Sequence, residues 1–367
     1  MEVVELSNPT AEEWNGVIGE APEARIQQTW EAARIRQELE GCKPLFLQAR
    51  QGSEVAGQLM VSRGFIHPDL LQWCRPLLRD PGARSALGVC RWFGGPVVLD
   101  KAHYGEILRL LLAAVAERAA RDRVLAIQDV APAFYDPHMD ADLVDEIFRE
   151  LGFVGQDRAT IALELDGDLE GAWKNLNREA RQKVNKARKQ DIRIFAAETD
   201  EHLRQYYQVR VETARRNGVR PPHLDSVLGA RPIYMAADMA AVFLAEHDGQ
   251  IASGQMLSVF NGNVHLGGVC YSDYAQSHNL NANDLMQWHV IEWATERGFR
   301  RIDWAGYTPE PATPKEAGIN RFKSKWGGTV LPYTSYTRIY GRKRQRVLNW
   351  LRDLKSRRQE PRQAGPG

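Results

Sequence analysis

The sequence has 367 residues, of which 43% are hydrophobic and 26% charged. This length exceeds one ordinary single-core domain, and the composition is that of a globular protein rather than of a disordered chain. The 48 basic and 47 acidic residues nearly cancel, which excludes a strong overall field, so any attraction to a polyanion has to come from local basic segments.

The four cysteines and the N-terminus exclude several further classes. Cys42, Cys74, Cys90 and Cys270 form no CxxC pair and have no metal-ligand spacing, which predicts reduced thiols and no metal site. The first residues, MEVVELSNPT, carry acids where a signal peptide is basic, and no run of 18 apolar residues follows. We therefore expect a cytoplasmic protein.

Residues 1–165 predict a first α/β lobe. Thr10 followed by two acids predicts a capped helix, and LFLQAR and VAGQLMVSRGF, on either side of the turn QGSE, predict two strands. LRLLLAAVAERAARD and DLVDEIFRELGF predict amphipathic helices, while VLAIQDV and ATIALELD predict buried strands.

Residues 166–195 include a strongly basic stretch, WKNLNREARQKVNKARKQDIRI. Its composition predicts one connecting helix that is cationic on most of its circumference. Two interpretations remain open: a solvated surface helix, or a helix that contacts phosphates.

Residues 196–335 repeat the order of elements of the first lobe. A helix leads into three strand candidates joined by the turns HDGQ and NGN, and then come the helix DLMQWHVIEWATERGF and the strand RRIDWAG. The same order without sequence identity predicts a duplicated fold. Each lobe is expected to be a mixed, largely antiparallel sheet flanked by helices, within the α/β (α+β) class.

Residues 336–367 predict a basic helix and a disordered end. Residues 338–362 carry ten Lys or Arg and two acids, and Val347, Leu348, Leu351 and Leu354 share one helical face. This helix could contact tRNA, lie on a membrane surface, or pack back on the first lobe.

Two motifs carry a resemblance to a known family. The stretch LNREARQKVNKARKQDIRI resembles the basic helix that joins the two GNAT-like halves of FemA/FemB/FemX enzymes. ERGFRRIDWAGYTPE, followed by GINRFKSKWGGTVLPY, resembles the family's Asp-containing strand, loop, and aromatic-Lys pair ahead of Gly-Gly. The motifs cover residues 150–340, whereas the first lobe matches by element order alone. Without a long helical arm, the chain is similar to the compact FemX type.

The resemblance implies an enzyme that moves an amino acid from aminoacyl-tRNA to an amine acceptor and forms a peptide bond. Aminoacyl-tRNA would be a co-substrate, and no other cofactor is implied. The acceptor would be a peptidoglycan precursor or another small peptide or amine, including nucleotide-linked ones, and membrane contact would be peripheral only.

The resemblance also implies roles for individual residues. By motif, Lys323 would stabilise charge in the transition state beside the acceptor, and Phe322 before it would bind the substrate. Arg216 would hold an anionic acceptor group such as a phosphate. The tRNA contacts would fall on the two basic segments, at Lys183, Lys186, Arg188, Lys189, Arg342, Lys343 and Arg344.

For other residues the pattern alone leaves alternatives. Asp303 is either a base, an orienting carboxylate or a turn former. Tyr271, Tyr274, Trp304 and Trp326 are candidates to line an acceptor cleft, or they pack in the core and at its rim. Lys323 itself could lie on a solvated strand edge or loop.

Two other functions compete with the aminoacyltransferase. An acyl-CoA-dependent GNAT N-acyltransferase would need a glycine-rich loop for the CoA pyrophosphate, and QSHNLNANDLMQW has no glycine there. A non-catalytic RNA-binding protein would need only the basic helices.

Overall fold

The structure is a computed structural model that describes residues 1–65, 87–343 and 346. It divides into two compact units. Unit 1 comprises Met1–Ile18, Arg36–Gln156 and the chain from Ser335 onward, and unit 2 comprises Gly19–Ile35 and Asp157–Thr334. Residues 19–35, which the sequence places in the first lobe, therefore belong to unit 2. There Asn261 and Asn263 donate side-chain hydrogen bonds to the backbone oxygens of Ala21 and Pro22.

Unit 1 is built on a sheet that begins with a meander. Its strands are β1 (Glu2–Leu6), β2 (Lys43–Gln51), β3 (Glu54–Phe65), β4 (Gly88–Arg91), β5 (Val97–Val98) and β6 (Ala126–Val130). The spatial order is β1, β2, β3, β4, β6, and all neighbours are antiparallel except β4 and β6. The end of β13 (Thr329–Ile339) pairs antiparallel with β6.

The helices of unit 1 follow the expected patterns. They are α1 (Ala11–Ile18), the second half of α2 (Trp30–Glu40), α3 (Tyr104–Arg121) and α4 (Ala141–Glu150). The predicted cap at Thr10 is confirmed, since its backbone N–H donates to Glu13, 2.8 Å away, and its hydroxyl accepts from the backbone of Glu13. The apolar stripe of α3 lies in the core of the unit, where Ile107, Leu111 and Val115 are fully buried.

Unit 2 holds the second meander. Its strands are β7 (Val154–Glu164), β8 (Arg193–Ala196), β9 (Ala240–His247), β10 (Gln250–Phe260), β11 (Asn263–Tyr271) and β12 (Arg301–Asp303). The spatial order is β7, β12, β11, β10, β9, β8. β12 is only three residues long, and all three pair parallel with the first three residues of β11. Both predicted turns are confirmed, with positive φ at Asp248–Gly249 and Asn261–Gly262.

The helices of unit 2 correct two expectations. They are α5 (Leu169–Asn175), α6 (Arg178–Ala187), α7 (Asp200–Arg216), α8 (Leu224–Leu228), α9 (Asp273–Ser277), α10 (Ala282–Glu296) and α11 (Pro314–Ser324). The basic stretch is not one helix. It breaks before α6 because the side chain of Asn177 caps that helix by accepting the backbone N–H of Ala180, 2.8 Å away. Lys323 lies on α11 rather than on a strand edge or loop, because Thr313 and Glu316 form a capping box that starts this helix.

The C-terminal prediction falls mostly beyond the described residues. The proposed apolar face from Val347 to Leu354 and the end of the chain lie outside them, as do Cys74 and Arg344. Cys42, Cys90 and Cys270 are free thiols. In the part of the chain that the structure describes, no helix is both long and apolar enough to cross a membrane.

Candidate active site

A cavity of about 440 Å³ opens in unit 2 where β11 ends and α10 begins. The cationic part of its lining is Lys183 and Lys186, from α6, and the aromatic part is Tyr271 and Phe322. The structure thus brings two residues predicted to contact tRNA together with two predicted to bind substrate. Helix α6 can present these lysines because its opposite face, with Val184, is buried in the core of the unit.

The remaining cavity wall is polar. Four carboxamides line it, from Gln276, Asn279, Asn281 and Asn283. Tyr271 supports this wall, because its hydroxyl lies within hydrogen-bond distance of the backbone oxygens of Ala275 and Leu280, 2.9 and 2.6 Å away, and can donate to either. Burial, and the nearby carboxylate of Asp284, raise the pKa of the Tyr271 hydroxyl.

Asp284 and Lys325 form a buried ion pair at this cavity that the sequence analysis missed. Asp284 lines the cavity, and the Lys325 ammonium, whose side chain is 3% exposed, donates to its Oδ1. The same ammonium lies 4.5 Å from the ring centroid of Phe322 and 5.1 Å from that of Trp326. Burial lowers the pKa of Lys325, and the charge of Asp284 opposes this shift. The signal in the sequence was the position of Phe322 three residues before Lys325, a spacing that places two side chains on the same side of a helix.

The two cavity lysines differ in their partners. Lys183 pairs with Glu179 at 3.0 Å, and Arg321 contacts the same carboxylate at 2.9 Å. The hydrogen bond from Arg321, followed by that from Lys183, lowers the pKa of Glu179 to about 2. Lys186 is exposed, so its ammonium is accessible to an anion at the rim of the cavity.

The other predicted tRNA contacts lie at the surface. The Arg188 guanidinium lies 5.1 Å from the ring centroid of Trp173 and 3.4 Å from Glu292. Lys189, Arg342 and Lys343 are exposed. Neither Arg188 nor Lys189 is among the described residues that line the cavity.

Lys323 is half-buried on α11 and contacts the turn that follows β12. Its ammonium donates to the backbone oxygens of Ala305 and Gly306, two residues with positive φ. Burial lowers the pKa of Lys323, while the nearby Asp303 carboxylate opposes that shift. Phe322 reaches the cavity, but Lys323 is not among the described lining residues.

Asp303 is a buried carboxylate with several hydrogen-bond partners rather than a solvent-exposed one. Its oxygens accept hydrogen bonds from Arg25 at 2.5 Å, from the Thr160 hydroxyl and from the backbone N–H of Ala305 at 2.8 Å, and His265 lies 3.3 Å away. Burial raises the pKa of Asp303, but the Arg25 charge and the hydrogen bonds of His265 and Thr160 outweigh it and hold the pKa well below its usual range.

A carboxylate with so low a pKa is a weak base. Of the roles that the sequence left open for Asp303, the surroundings favour the orienting one. Arg25, Thr160 and His265 were missed because they reach Asp303 from three distant parts of the chain.

Arg216 lies at the end of α7 and holds the start of α9. Its guanidinium donates to the carboxylate of Asp273 and to the backbone oxygen of Tyr271. It therefore fixes the segment that follows β11, beside the cavity. Its role in binding an anionic acceptor group stays a prediction.

The remaining aromatic candidates separate into rim and core. Tyr274 is half-buried, and its hydroxyl lies 2.8 Å from Nδ1 of His247. Trp304 and Trp326 are 4% and 0% exposed. Both pack in the core of unit 2, which is the second of the two alternatives that the sequence left open for them. The indole N–H of Trp304 donates to Gln287 at 3.0 Å, which satisfies its polar atom there.

Comparison with known proteins agrees with this architecture. Residues 174–324 match the model of a family described as an acetyltransferase (GNAT) domain. Among proteins with curated descriptions, none matches this sequence. Many solved structures are similar to the chain, and three of them inform the fold.

The crystal structure of FemX matches with a TM-score of 0.72 at 15% identity, over 95% of this chain and 99% of that one. A tandem GNAT protein from the clavulanic acid biosynthesis pathway matches with a TM-score of 0.54 at 13% identity, covering 92% and 98%. The C-terminal domain of a putative lysylphosphatidylglycerol synthetase from Agrobacterium fabrum matches with a TM-score of 0.50 at 12% identity, covering 76% and 80%.

These likenesses confirm the predicted α/β fold with its largely antiparallel strands. The match of residues 174–324 to an acetyltransferase domain supports an acyltransferase. The chain has a FemX-like duplicated GNAT fold.

Proposed function

We propose that the protein transfers an aminoacyl group from aminoacyl-tRNA to an amine acceptor. The observation that carries this proposal is the lining of the cavity, in which Lys183 and Lys186 face the same space as Tyr271 and Phe322. A charged tRNA end presents phosphates, a base and an amino acid. Lysines pair with phosphates and aromatic rings stack on bases, so one cavity offers groups for both.

The reaction needs little from the protein beyond positioning and electrostatics. The acceptor amine attacks the ester carbonyl, the new C–N bond forms, and the ester C–O bond breaks. The proton that the amine loses passes to the ribose oxygen that leaves. Because the ester is already activated, placing the amine and stabilising the oxyanion supply most of the rate.

Lys323 is our candidate for stabilising the oxyanion. An ammonium has three N–H donors, and two of those of Lys323 donate to Ala305 and Gly306. The third can donate to an oxygen of the tetrahedral intermediate. Asp303 acts indirectly in this proposal, because it accepts the backbone N–H of Ala305 and so helps to fix the turn that holds the ammonium.

The segment before α10 favours a tRNA donor over CoA. In GNAT lobes the CoA pyrophosphate is held by backbone N–H groups at a helix N-terminus. Here the backbone N–H of Asn281, which precedes α10, donates to the Gln190 side chain 2.9 Å away. A CoA pyrophosphate at this point would have to displace that side chain.

The test is a donor comparison on the full chain with a panel of amine acceptors. One reaction receives a mixture of radiolabelled aminoacyl-tRNAs and another receives labelled acetyl-CoA, each with and without ribonuclease. We expect transfer from the tRNA mixture that ribonuclease abolishes. Transfer from acetyl-CoA alone would reject the tRNA donor, and a product from neither donor would favour a non-catalytic RNA-binding protein.

One observation favours a second candidate, an acyl-CoA-dependent N-acyltransferase. The family model matched by residues 174–324 is described as an acetyltransferase, and the cavity lies at the start of α10. The same donor comparison separates the two candidates.

A further inference from the structure

Among the described residues that line the cavity, one carries a carboxylate, and the others are cationic, amide-bearing, aromatic or aliphatic. Asp284 lies in the first turn of α10 and is 8% exposed. A tRNA end or a CoA presents only anionic and neutral groups to this wall, apart from the group that is transferred. A carboxylate there has to pair with a cation, and Lys325 supplies one from the side of the core.

Lys325 fixes the Asp284 carboxylate in place. Its ammonium is bonded to Oδ1 and enclosed by the rings of Phe322 and Trp326. The positive end of the α10 dipole also favours the negative charge in that first turn. A carboxylate has two oxygens and about four acceptor sites, so an ion pair through one oxygen does not exhaust its capacity to accept.

We propose that Asp284 binds the α-ammonium group of the donor's aminoacyl moiety, and that Lys325 is the positioning residue for this carboxylate. This inference rests on the proposed function and narrows it to donors whose acyl group carries a free, protonated amine. The amides of Asn281 and Asn283, at the same end of α10, flank the carboxylate in the cavity lining.

The chemistry of transfer explains why the donor's amine, and not the acceptor's, belongs at Asp284. The acceptor amine has to be uncharged to attack, and a neighbouring carboxylate would hold it in its protonated, unreactive form. The donor's α-amine takes no part in the reaction and is protonated below its ordinary pKa of about 8. An acetyl group has no amine, so an acetyl donor would leave Asp284 without a ligand.

The test uses two stable probes that differ in one charge. The first is 3′-(L-alanylamino)-3′-deoxyadenosine 5′-phosphate, in which an amide replaces the ester, and the second is its N-acetyl form. Binding of both to the full chain is measured by calorimetry at pH 6.5. Because a hydrogen bond to a charged group is strong, we expect the free-amine probe to bind roughly tenfold tighter or more.

Two variants and a matched control test whether Asp284 causes the preference for the free-amine probe. Asp284→Asn should bring the two dissociation constants close together. Asp284→Asn combined with Lys325→Met should do the same without leaving a buried ammonium unpaired, so a loss of folding in the single variant does not end the test. Glu296→Gln removes a carboxylate from an exposed position on the same helix and should keep the preference.

Every outcome decides the proposal. Equal binding of the two probes by the unmodified protein, no binding of either, or a preference that survives in both Asp284 variants would overturn it. A parallel assay of ribonuclease-sensitive transfer tests the proposed function independently of the ammonium site. Transfer with equal probe binding refutes the ammonium site alone, whereas a free-amine preference without transfer refutes the tRNA-dependent reaction alone.

Discussion

Arg25 and Asp303 form a buried ion pair in unit 2, with Nη2 of the arginine 2.5 Å from Oδ2 of the aspartate and side chains only 5% and 3% exposed. The two residues are 278 positions apart in the chain. Arg25 belongs to the segment 19–35, and Asp303 ends β12. The pair therefore connects an early segment of the chain to β12. The turn that follows β12 contains the two backbone oxygens that accept from Lys323.

Removing only the cation of this pair should destabilise unit 2 strongly. Arg25→Met leaves the Asp303 carboxylate buried without its partner, at a cost of about 3–5 kcal/mol, whereas Arg25→Met with Asp303→Leu removes both charges and should cost clearly less. Denaturant unfolding followed by tryptophan fluorescence measures both. Arg34→Met, an exposed change in the same segment, should cost under about 0.5 kcal/mol. Equal losses in the single and double variants would show that the pair is not the cause.

The same pair predicts how stability depends on pH. Because the pKa of Asp303 is lower in the folded than in the unfolded protein, its contribution is present above the unfolded pKa of about 4 and is lost as the pH falls below it. The free energy of unfolding should decline between about pH 5 and pH 2 more steeply in the unmodified protein than in the Arg25→Met, Asp303→Leu double variant. Parallel curves would contradict the assignment.

Lys323→Met should reduce turnover while leaving the fold intact. Loss of one donor to an oxyanion typically lowers turnover by about 100-fold to 1000-fold, and the half-buried lysine contributes little to the core. The comparison is single-turnover transfer with the donor found active, alongside circular dichroism of both proteins. Lys315→Ala, near the start of the same helix and exposed, is the matched control. Equal turnover of Lys323→Met and the unmodified protein would remove Lys323 from the reaction.

Lys183 and Lys186 should account for part of the salt dependence of tRNA binding. Each lysine that neutralises a phosphate releases about one counterion, so each alanine substitution should lower the slope of log affinity against log salt by about one. The measurement is filter binding of deacylated tRNA at four salt concentrations. Lys174→Ala, on α5 and not among the described residues that line the cavity, should leave the slope unchanged. An unchanged slope in the Lys183→Ala, Lys186→Ala double variant would place the phosphates elsewhere.

Much of the fold could be predicted because its signals are local. The turns at Asp248–Gly249 and Asn261–Gly262, the cap at Thr10 and the apolar stripe of α3 each depend on residues a few positions apart, and each is confirmed. The prediction that the basic stretch forms one helix was wrong, and the reason is equally local. The side chain of Asn177 caps the start of α6, and this local signal was overlooked beneath the charge pattern.

The candidate site was harder to predict from the sequence than the fold, because it depends on contacts between residues that are distant in the chain. Residue type and motif drew attention to Lys323, Phe322 and Tyr271, but aromatic residues suit a core as well as a cleft, and Trp304 and Trp326 proved to be core. Asp284 and Lys325 are 41 positions apart. Asp284 alone is an ordinary acid on a predicted helix, and Lys325 alone is one of several basic residues in the stretch RFKSK.

The sequence by itself determined the order of the elements and their repetition, because periodicity, capping and turn chemistry act over a few residues. The FemX-like duplicated GNAT fold was implied by the resemblance of two motifs to a known family. Only the tertiary structure decided which charges meet. It buried Asp303 against Arg25 and placed Asp284 in the lining of the cavity, where Asp284 forms an ion pair with Lys325. The physical reason is that a buried charge is tolerated only beside its partner, and the partners come together only when the chain folds.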